Sequence, residues 1–171
     1  MDANHANLLV TYEPSHRVGA ERTVRALIGK DARLLVSDVE GVFLLHAHDP
    51  RRLVRRLREE AEEDVSRFTN VSSWVPIDEW HAADVVELQR ALRKIDERID
   101  PAKSWKLEVR KRLFDMSTSE LIAKLTEPLT RQKVDLRFPE QIVRVEIVKD
   151  RAGIALLAPD EILNVQELRK E

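Results

Sequence analysis

The fold of this chain is decided by residues 104–148, which read SWKLEVRKRLFDMSTSELIAKLTEPLTRQKVDLRFPEQIVRVEIV. The stretch opens with Trp105, Leu107 and Val109 alternating with charged residues, and this period of two is typical of a half-buried β-strand. The predicted strand ends in three consecutive cations, Arg110, Lys111 and Arg112.

A helix and a second strand follow in the same stretch. Ser117, with Glu120 three residues later, predicts a capping box that opens a helix with Leu121, Ile122 and Leu125 on its apolar face. Residues 134–136 read as a short extended piece, Phe138-Pro139 as a turn, and residues 142–148 as a strand. Strand, helix and strand over about 40 residues predict a βαβ unit with parallel strands.

These pieces resemble the core of a THUMP domain, an RNA-binding module of tRNA-modifying proteins. The matching residues are 108–112 (EVRKR), 119–122 (SELI), 133–136 (KVDL) with Pro139, and 145–147 (VEI). Their order and spacing carry the resemblance, which is specific over residues 104–157. It implies a mixed, partly parallel sheet, and we assign residues 78–171 to this domain.

The N-terminal residues predict a second α/β arrangement. Strands are predicted at 8–12, 33–37, 42–47 and 71–75, with helices at 20–28 and from Asp49-Pro50 onward. This order is ferredoxin-like, and the resemblance leads us to expect such a domain before a THUMP core. The sequence therefore predicts an α+β protein with a ferredoxin-like domain over residues 1–77.

The remaining segments complete the second domain. Residues 84–99 predict an amphipathic helix that stops at Asp100-Pro101. Residues 153–157 predict a strand paired with residues 142–148, and residues 159–171 are interpreted as a docked strand or a short helix.

Composition limits the class of protein. The chain has 171 residues, 43% hydrophobic and 35% charged, as expected of a globular protein. It has no cysteine, no apolar run approaching the ~20 residues of a membrane span, and no N-terminal signal pattern. We therefore expect a cytoplasmic protein that does not bind membranes. The sequence leaves the oligomeric state open.

Charge is distributed unevenly along the chain. The net charge of −2 argues against a generally basic nucleic-acid binder. Residues 102–151, however, hold 12 Lys and Arg against 8 Asp and Glu, an excess of four cations. A nearly neutral protein can present one positive face.

The candidate RNA-binding site is the basic strand end with the cations that could join it. RNA phosphates are bound by cations gathered on one surface, and an exposed ring can stack on a base. Trp105 is expected in the core by alternation, whereas Phe138 lies in a loop. The predicted RNA-binding residues are Lys103, Lys106, Arg110, Lys111, Arg112, Arg131, Lys133, Arg137 and Phe138. The alternative is an ordinary solvated strand end.

Two other clusters have competing interpretations. Arg51-Arg52 and Arg55-Arg56 form a basic patch at the start of a predicted helix, either for helical ion pairing with the glutamates of 59–63 or for a partner anion. His46 and His48 resemble a metal pair, but no third ligand is apparent nearby, so no metal is predicted.

Motifs of catalysis are missing from the sequence. It has no G-x-G-x-x-G, no P-loop, no nucleophile elbow and no H-E-x-x-H, and its four glycines offer little for a phosphate cradle. THUMP proteins usually carry a separate catalytic domain, and this chain ends soon after the module. We therefore predict no enzyme activity, no catalytic residues and no cofactor.

The resemblance implies a more specific role. A THUMP protein without a catalytic domain resembles the adaptor of a tRNA cytidine N4-acetyltransferase, with tRNA and that enzyme as partners. The module would hold the acceptor 3′ end of the tRNA. Alternatives are the RNA-binding subunit of another modifying enzyme such as a split thiouridine synthetase, a small acylphosphatase-like enzyme, or a protein-interaction domain without RNA.

Overall fold

The structure is a computed structural model that describes residues 5–35 and 37–170. The chain forms two compact units, one made of Met1–Ile77 and Asp160–Glu171 and the other of Asp78–Pro159. Asp160–Glu171 thus belongs to the first compact unit, whereas we assigned it to the second domain from the sequence. Val36, inside the predicted strand 33–37, lies outside the described residues.

The first unit contains a five-stranded sheet in the order β2-β3-β1-β4-β9. Its strands are antiparallel to their neighbours. The elements are β1 (Leu8–Tyr12), α1 (Arg17–Ile28), β2 (Ala32–Leu35), β3 (Val42–Ala47), α2 (Pro50–Glu63), β4 (Val71–Pro76), β9 (Leu163–Asn164) and α5 (Val165–Arg169). The first six elements confirm the predicted ferredoxin-like order.

Helix α2 forms where its capping signals predict. The Asp49 side chain accepts a hydrogen bond from the Arg52 backbone N–H at 3.2 Å, and Pro50 occupies the first turn. Both features satisfy or remove free N–H groups at the helix start. The apolar stripe of Leu53, Val54, Leu57 and Ala61 is buried in the core of the first unit.

The arginines at the start of α2 bind the C-terminal segment of the same chain. The Arg55 guanidinium lies 2.6 Å from the Glu161 carboxylate, and Arg51 lies 3.4 Å from it. Arg58 donates to the Ile162 carbonyl oxygen at 2.8 Å. Arg51 and Arg55 of the patch thus fasten the C-terminal segment, which neither sequence interpretation foresaw. Arg56 lies 3.1 Å from the Glu60 carboxylate, which is the helical ion pairing that the sequence predicted.

The second unit contains a four-stranded sheet in the order β5-β8-β7-β6. The elements are β5 (Glu79–Ala82), α3 (Val85–Arg98), β6 (Trp105–Arg112), α4 (Thr118–Thr126), β7 (Gln141–Val148) and β8 (Arg151–Leu157). Strands β6 and β7 are parallel and the other pairs are antiparallel. The predicted βαβ unit and the mixed sheet are confirmed.

Helices α3 and α4 supply the apolar side of the second core. Leu88, Leu92 and Leu121 pack with residues of the sheet and are fully buried. Trp105 is 3% exposed, as alternation predicts, and its indole N–H donates to the Arg131 carbonyl oxygen at 3.1 Å. The Ser117 hydroxyl accepts the Glu120 backbone N–H at 3.2 Å and caps α4.

Neither a membrane-spanning helix nor a metal-binding cluster occurs among the described residues. None of the helices in the described ranges is long and apolar enough to cross a membrane. Residues 5–35 and 37–170 contain no group of three or more His, Cys, Asp or Glu side chains that could hold a metal ion. His46 of the candidate metal pair instead places its Nδ1 atom 2.7 Å from the His5 carbonyl oxygen.

Candidate nucleic-acid interface

The candidate site is built on β6, which lies at one side of the second sheet and pairs only with β7 within that sheet. The parallel register runs from Trp105 opposite Gln141 to Arg112 opposite Val148. Side chains alternate between the two faces of a strand. Since Trp105 and Val109 point into the core, the even-numbered charged residues of β6 share the other face.

A line of alternating charges crosses from β6 to β7 on that face. Lys106 lies 2.8 Å from Glu108, Glu108 lies 2.8 Å from Arg144, Arg144 lies 2.8 Å from Glu146, and Glu146 lies 2.7 Å from Arg112. Glu146 is 0% exposed and Arg144 is 6% exposed. We call these five residues the charge ladder. Two of the predicted RNA-binding cations, Lys106 and Arg112, therefore already hold carboxylate partners.

The ladder changes the acidity of its members. Burial alone would raise the pKa of Glu108, but the hydrogen bond from Lys106 and the charge of Arg144 outweigh it and lower that pKa below its ordinary value of 4.5. Burial would likewise lower the pKa of Arg144, but Glu146 and Glu108 outweigh it and raise that pKa. The geometry thus favours the charged form of both residues.

Replacing Glu108 with glutamine should flatten the acid limb of the stability curve. Because the pKa of Glu108 is lowered on folding, its carboxylate stabilises the folded state above pH 4.5, and this contribution is lost as the pH falls further. We expect the free energy of unfolding of the native protein to drop more steeply with acid in that range than that of Glu108→Gln. Urea unfolding at pH 7, 5, 4 and 3 measures this.

A matched control is Glu87→Gln, which removes an exposed carboxylate paired with Arg90 at 2.7 Å. We expect that variant to keep the acid limb of the native protein. An acid limb of the same slope in Glu108→Gln and the native protein would contradict the prediction.

The nine predicted RNA-binding residues do not form one cluster. Residues 131–138 precede β7 and therefore lie at its beginning, which in a parallel pair is also the beginning of β6. Arg110, Lys111 and Arg112 lie at the other end of β6. An eight-residue strand spans roughly 23 Å. We expected both groups of cations on one surface, but only the loops that follow parallel strands gather at the same edge of a sheet.

At the end of β6, two cations lack acidic partners. Arg110 is exposed, and its guanidinium donates to the carbonyl oxygen of Val109 at 3.2 Å. The Lys111 ammonium lies 3.5 Å from the Phe114 carbonyl oxygen. Within the described part of the chain, neither side chain is paired with a carboxylate. Leu113, two residues after Lys111, has a left-handed backbone (φ 57°) and is 73% exposed.

At the beginning of β6, the cations have mixed roles. Arg131 donates to the carbonyl oxygens of Asp96 and Glu97 at 3.1 and 3.4 Å, so it binds the last turn of α3. Lys133 donates to the Ala102 carbonyl oxygen at 3.1 Å and is otherwise exposed. Lys103 is exposed as well. Arg131 is therefore structural, while the two lysines remain accessible.

A tight turn after residue 134 presents the predicted stacking residue. The Asp135 carboxylate accepts the backbone N–H groups of Phe138 at 2.9 Å and Arg137 at 3.0 Å, which lowers the pKa of Asp135. The Phe138 ring is 73% exposed, and the Arg137 guanidinium lies 5.2 Å from its centre. Such a ring is accessible for stacking.

The THUMP domain family matches residues 82–157 of the chain. This range contains β6, α4, β7 and β8, and it holds every predicted RNA-binding residue. The chain therefore contains a THUMP domain, which is an RNA-binding module.

Three solved structures share the fold. They are PH1313 from Pyrococcus horikoshii Ot3 (16% identity, TM-score 0.54, 89% of this chain and 54% of that chain), TrmN from Thermus thermophilus (19%, 0.57, 89% and 45%), and a predicted N6-adenine-specific DNA methylase from Listeria monocytogenes str. 4b F2365 (11%, 0.55, 88% and 40%). At these identities the likeness concerns the fold alone. This chain spans about half the length of the structures it matches. No curated protein matches the chain.

Proposed function

We propose that this chain is a non-catalytic tRNA-binding protein that presents tRNA to a separate modifying enzyme. The observation that carries the proposal is the pair Arg110 and Lys111, which lie inside a THUMP domain without carboxylate partners among the described residues. Unpaired cations can neutralise phosphates without first breaking an internal ion pair.

The other predicted residues contribute in different ways. Lys103, Lys133 and Arg137 are exposed cations that extend the positive surface along β6, and Phe138 offers a ring to an unpaired base. Three predicted cations contribute only indirectly, because their charged groups already bind carboxylates or carbonyl oxygens. They are Lys106, Arg112 and Arg131. In this proposal they hold the surface in shape.

The proposed mechanism is positioning of the substrate. The THUMP module binds the acceptor 3′ end, and that binding energy orients the rest of the tRNA in the active site of the partner. The proposed partner is a tRNA cytidine N4-acetyltransferase. This choice is supported by the resemblance of the chain to the adaptor of such an enzyme. Addition of the protein should then raise cytidine acetylation of tRNA by such an enzyme without any activity of its own.

The experiment that tests RNA binding uses one tRNA with and without its 3′-terminal CCA, at two salt concentrations. We expect affinity to fall on trimming and to fall with salt, with a log-log slope of about −0.7 to −0.9 per phosphate contact. Equal binding to both tRNAs would refute acceptor-end recognition. Absence of binding at low salt would refute the tRNA-binding function.

A further inference from the structure

Among the residues that the structure describes, the outer side of β6, away from β7, is paired at its first residue only. The Trp105 backbone N–H donates to the Lys133 carbonyl oxygen at 2.9 Å, and the Trp105 carbonyl oxygen accepts the Asp135 N–H at 3.0 Å. Residues 133–135 thus run parallel to β6 and form a single β-bridge with it, between Trp105 and Val134.

The next three outward positions on β6 form no β-bridge with another segment of the described chain. Backbone groups alternate sides along a strand, so Leu107, Val109 and Lys111 direct their N–H and C=O groups the same way as Trp105. Within residues 5–35 and 37–170, no backbone group bonds to those three outward positions. The Val109 carbonyl oxygen accepts the Arg110 guanidinium at 3.2 Å, a side-chain contact that an added strand would displace. We call the outward backbone groups of these three residues the open edge.

The Asp135 turn is the reason that the added strand stops. The Asp135 carboxylate accepts the N–H groups of Arg137 and Phe138, and this turn bends the chain away from β6 after a single β-bridge. The same bend leaves Leu136 75% exposed and Phe138 73% exposed. Two apolar side chains therefore stand at the beginning of the open edge.

Cations outnumber acids around the open edge, and the one carboxylate of the turn, Asp135, already accepts two backbone N–H groups. Arg110 and Lys111 lie on β6, and Lys133 and Arg137 lie on the turn, and none of the four is paired with a carboxylate in the described chain. Cations on an edge strand can simply discourage pairing with other chains. That explanation leaves the exposed Leu136 without a reason, since apolar groups beside a strand edge promote pairing.

We propose that the open edge and the Leu136–Phe138 turn bind an extended acidic segment of a partner protein, which adds a strand to β6. Backbone hydrogen bonds to Leu107, Val109 and Lys111 would supply affinity, and acidic side chains would meet the surrounding cations. An apolar residue of the segment would pack on Leu136 and Phe138. A peptide backbone matches the strand-edge spacing, whereas RNA would engage the side chains.

This proposal does not depend on tRNA binding. The alternation of backbone groups, the turn and the exposed apolar side chains would stand if the chain bound no RNA. If the tRNA-binding proposal is also correct, the acidic segment and the RNA use the same cations and the same Phe138 ring, so the two ligands compete for this surface.

The test follows amide hydrogen exchange in the full ¹⁵N-labelled chain at low salt. The probe is an acetylated and amidated hexapeptide in which Glu and Val alternate. We expect amide exchange at Leu107, Val109 and Lys111 to slow at least ten-fold, with no comparable change at Lys106 or Arg110, whose N–H groups face β7. A hexapeptide N-methylated at every residue keeps the charge but has no N–H donor on either edge, so it cannot add a strand and should protect none of these amides.

A matched pair of variants isolates the backbone hydrogen bond. Lys111→Ala removes the charge, while Lys111→Pro removes the charge and the outward N–H, and proline is tolerated at such edge positions. We expect peptide affinity of Lys111→Pro to be about ten-fold below that of Lys111→Ala, in variants whose NMR spectra show the native fold. The methylated-peptide comparison decides the question if Lys111→Pro does not fold.

Three results would overturn the proposal. These are no protection at peptide concentrations in the millimolar range, equal protection by the N-methylated peptide, and the same odd-numbered protection on addition of tRNA instead of peptide. The last result would assign the edge to RNA. Failure of tRNA binding with intact peptide protection would refute only the tRNA-binding function.

Discussion

Replacing Glu146 with alanine is expected to lower the free energy of unfolding by about 3–5 kcal/mol, the cost of breaking a buried ion pair from one side. Glu146 is 0% exposed and binds Arg144 and Arg112 at 2.8 and 2.7 Å. Without it, Arg144 keeps only Glu108 as a carboxylate partner while remaining 6% exposed. Urea unfolding at pH 7 measures the loss.

Two comparisons make this result specific to the buried charge. Glu146→Gln keeps the side-chain shape and part of the hydrogen bonding. Its free energy of unfolding should therefore lie between that of the native protein and that of Glu146→Ala. Glu87→Ala removes an exposed partner of Arg90 and should cost at most about 1 kcal/mol. If Glu146→Ala costs no more than Glu87→Ala, the charge ladder is not a stabilising element.

Removing Arg110 and Lys111 together is expected to weaken tRNA binding on the order of a hundredfold at low salt. Hydrogen bonds to charged groups contribute about 1.5–3 kcal/mol each, and about 1.4 kcal/mol corresponds to ten-fold in affinity. Loss of two phosphate contacts should also make the log-log salt slope shallower by about 1.4 to 1.8. Fluorescence anisotropy of a labelled tRNA across a salt series measures both quantities.

The control for this double variant is Arg93→Ala with Lys94→Ala. These neighbours form an exposed Arg-Lys pair on α3, so the net charge changes by the same amount at another place on the second unit. We expect that variant to bind tRNA nearly as the native protein does. Equal losses in the two double variants would show that total charge matters and that the end of β6 is not the site.

Arg112 is left out of the double variant for a structural reason. Its guanidinium lies 2.7 Å from the buried Glu146 carboxylate, so alanine at this position would destabilise the sheet as well as remove a cation. An effect on RNA affinity would then have two causes. The charge ladder thus decides which of three consecutive cations can be tested for binding.

Local signals in the sequence were sufficient for most of the fold. The period of two in residues 105–109, the Ser117 cap and the Asp49-Pro50 start each predict an element that the structure confirms. These signals are sufficient because alternation and capping depend on neighbours in sequence. Strand β5 (Glu79–Ala82) was not predicted, since the alternation of polar and apolar residues in EWHA extends over only four residues and its pairing with β8 depends on distant residues.

The candidate site was predictable only in part. The basic residues themselves are visible in the sequence, but their partners depend on the register between β6 and β7. Glu108 and Arg144 are 36 residues apart, and only the parallel register places them opposite one another. The same limitation applies to Arg55, whose partner Glu161 is 106 residues away.

The path of the chain has a consequence for its synthesis. The sheet of the first unit is completed by β9, which pairs with β4 and brings the buried Leu163 and Val165. The second unit, 82 residues from 78 to 159, is made in between. At 5–20 residues per second, roughly 4 to 16 s separate the two parts on the ribosome. During that interval the side of β4 that β9 will cover has no strand to pair with, so the first sheet is completed only after the whole second unit has been made.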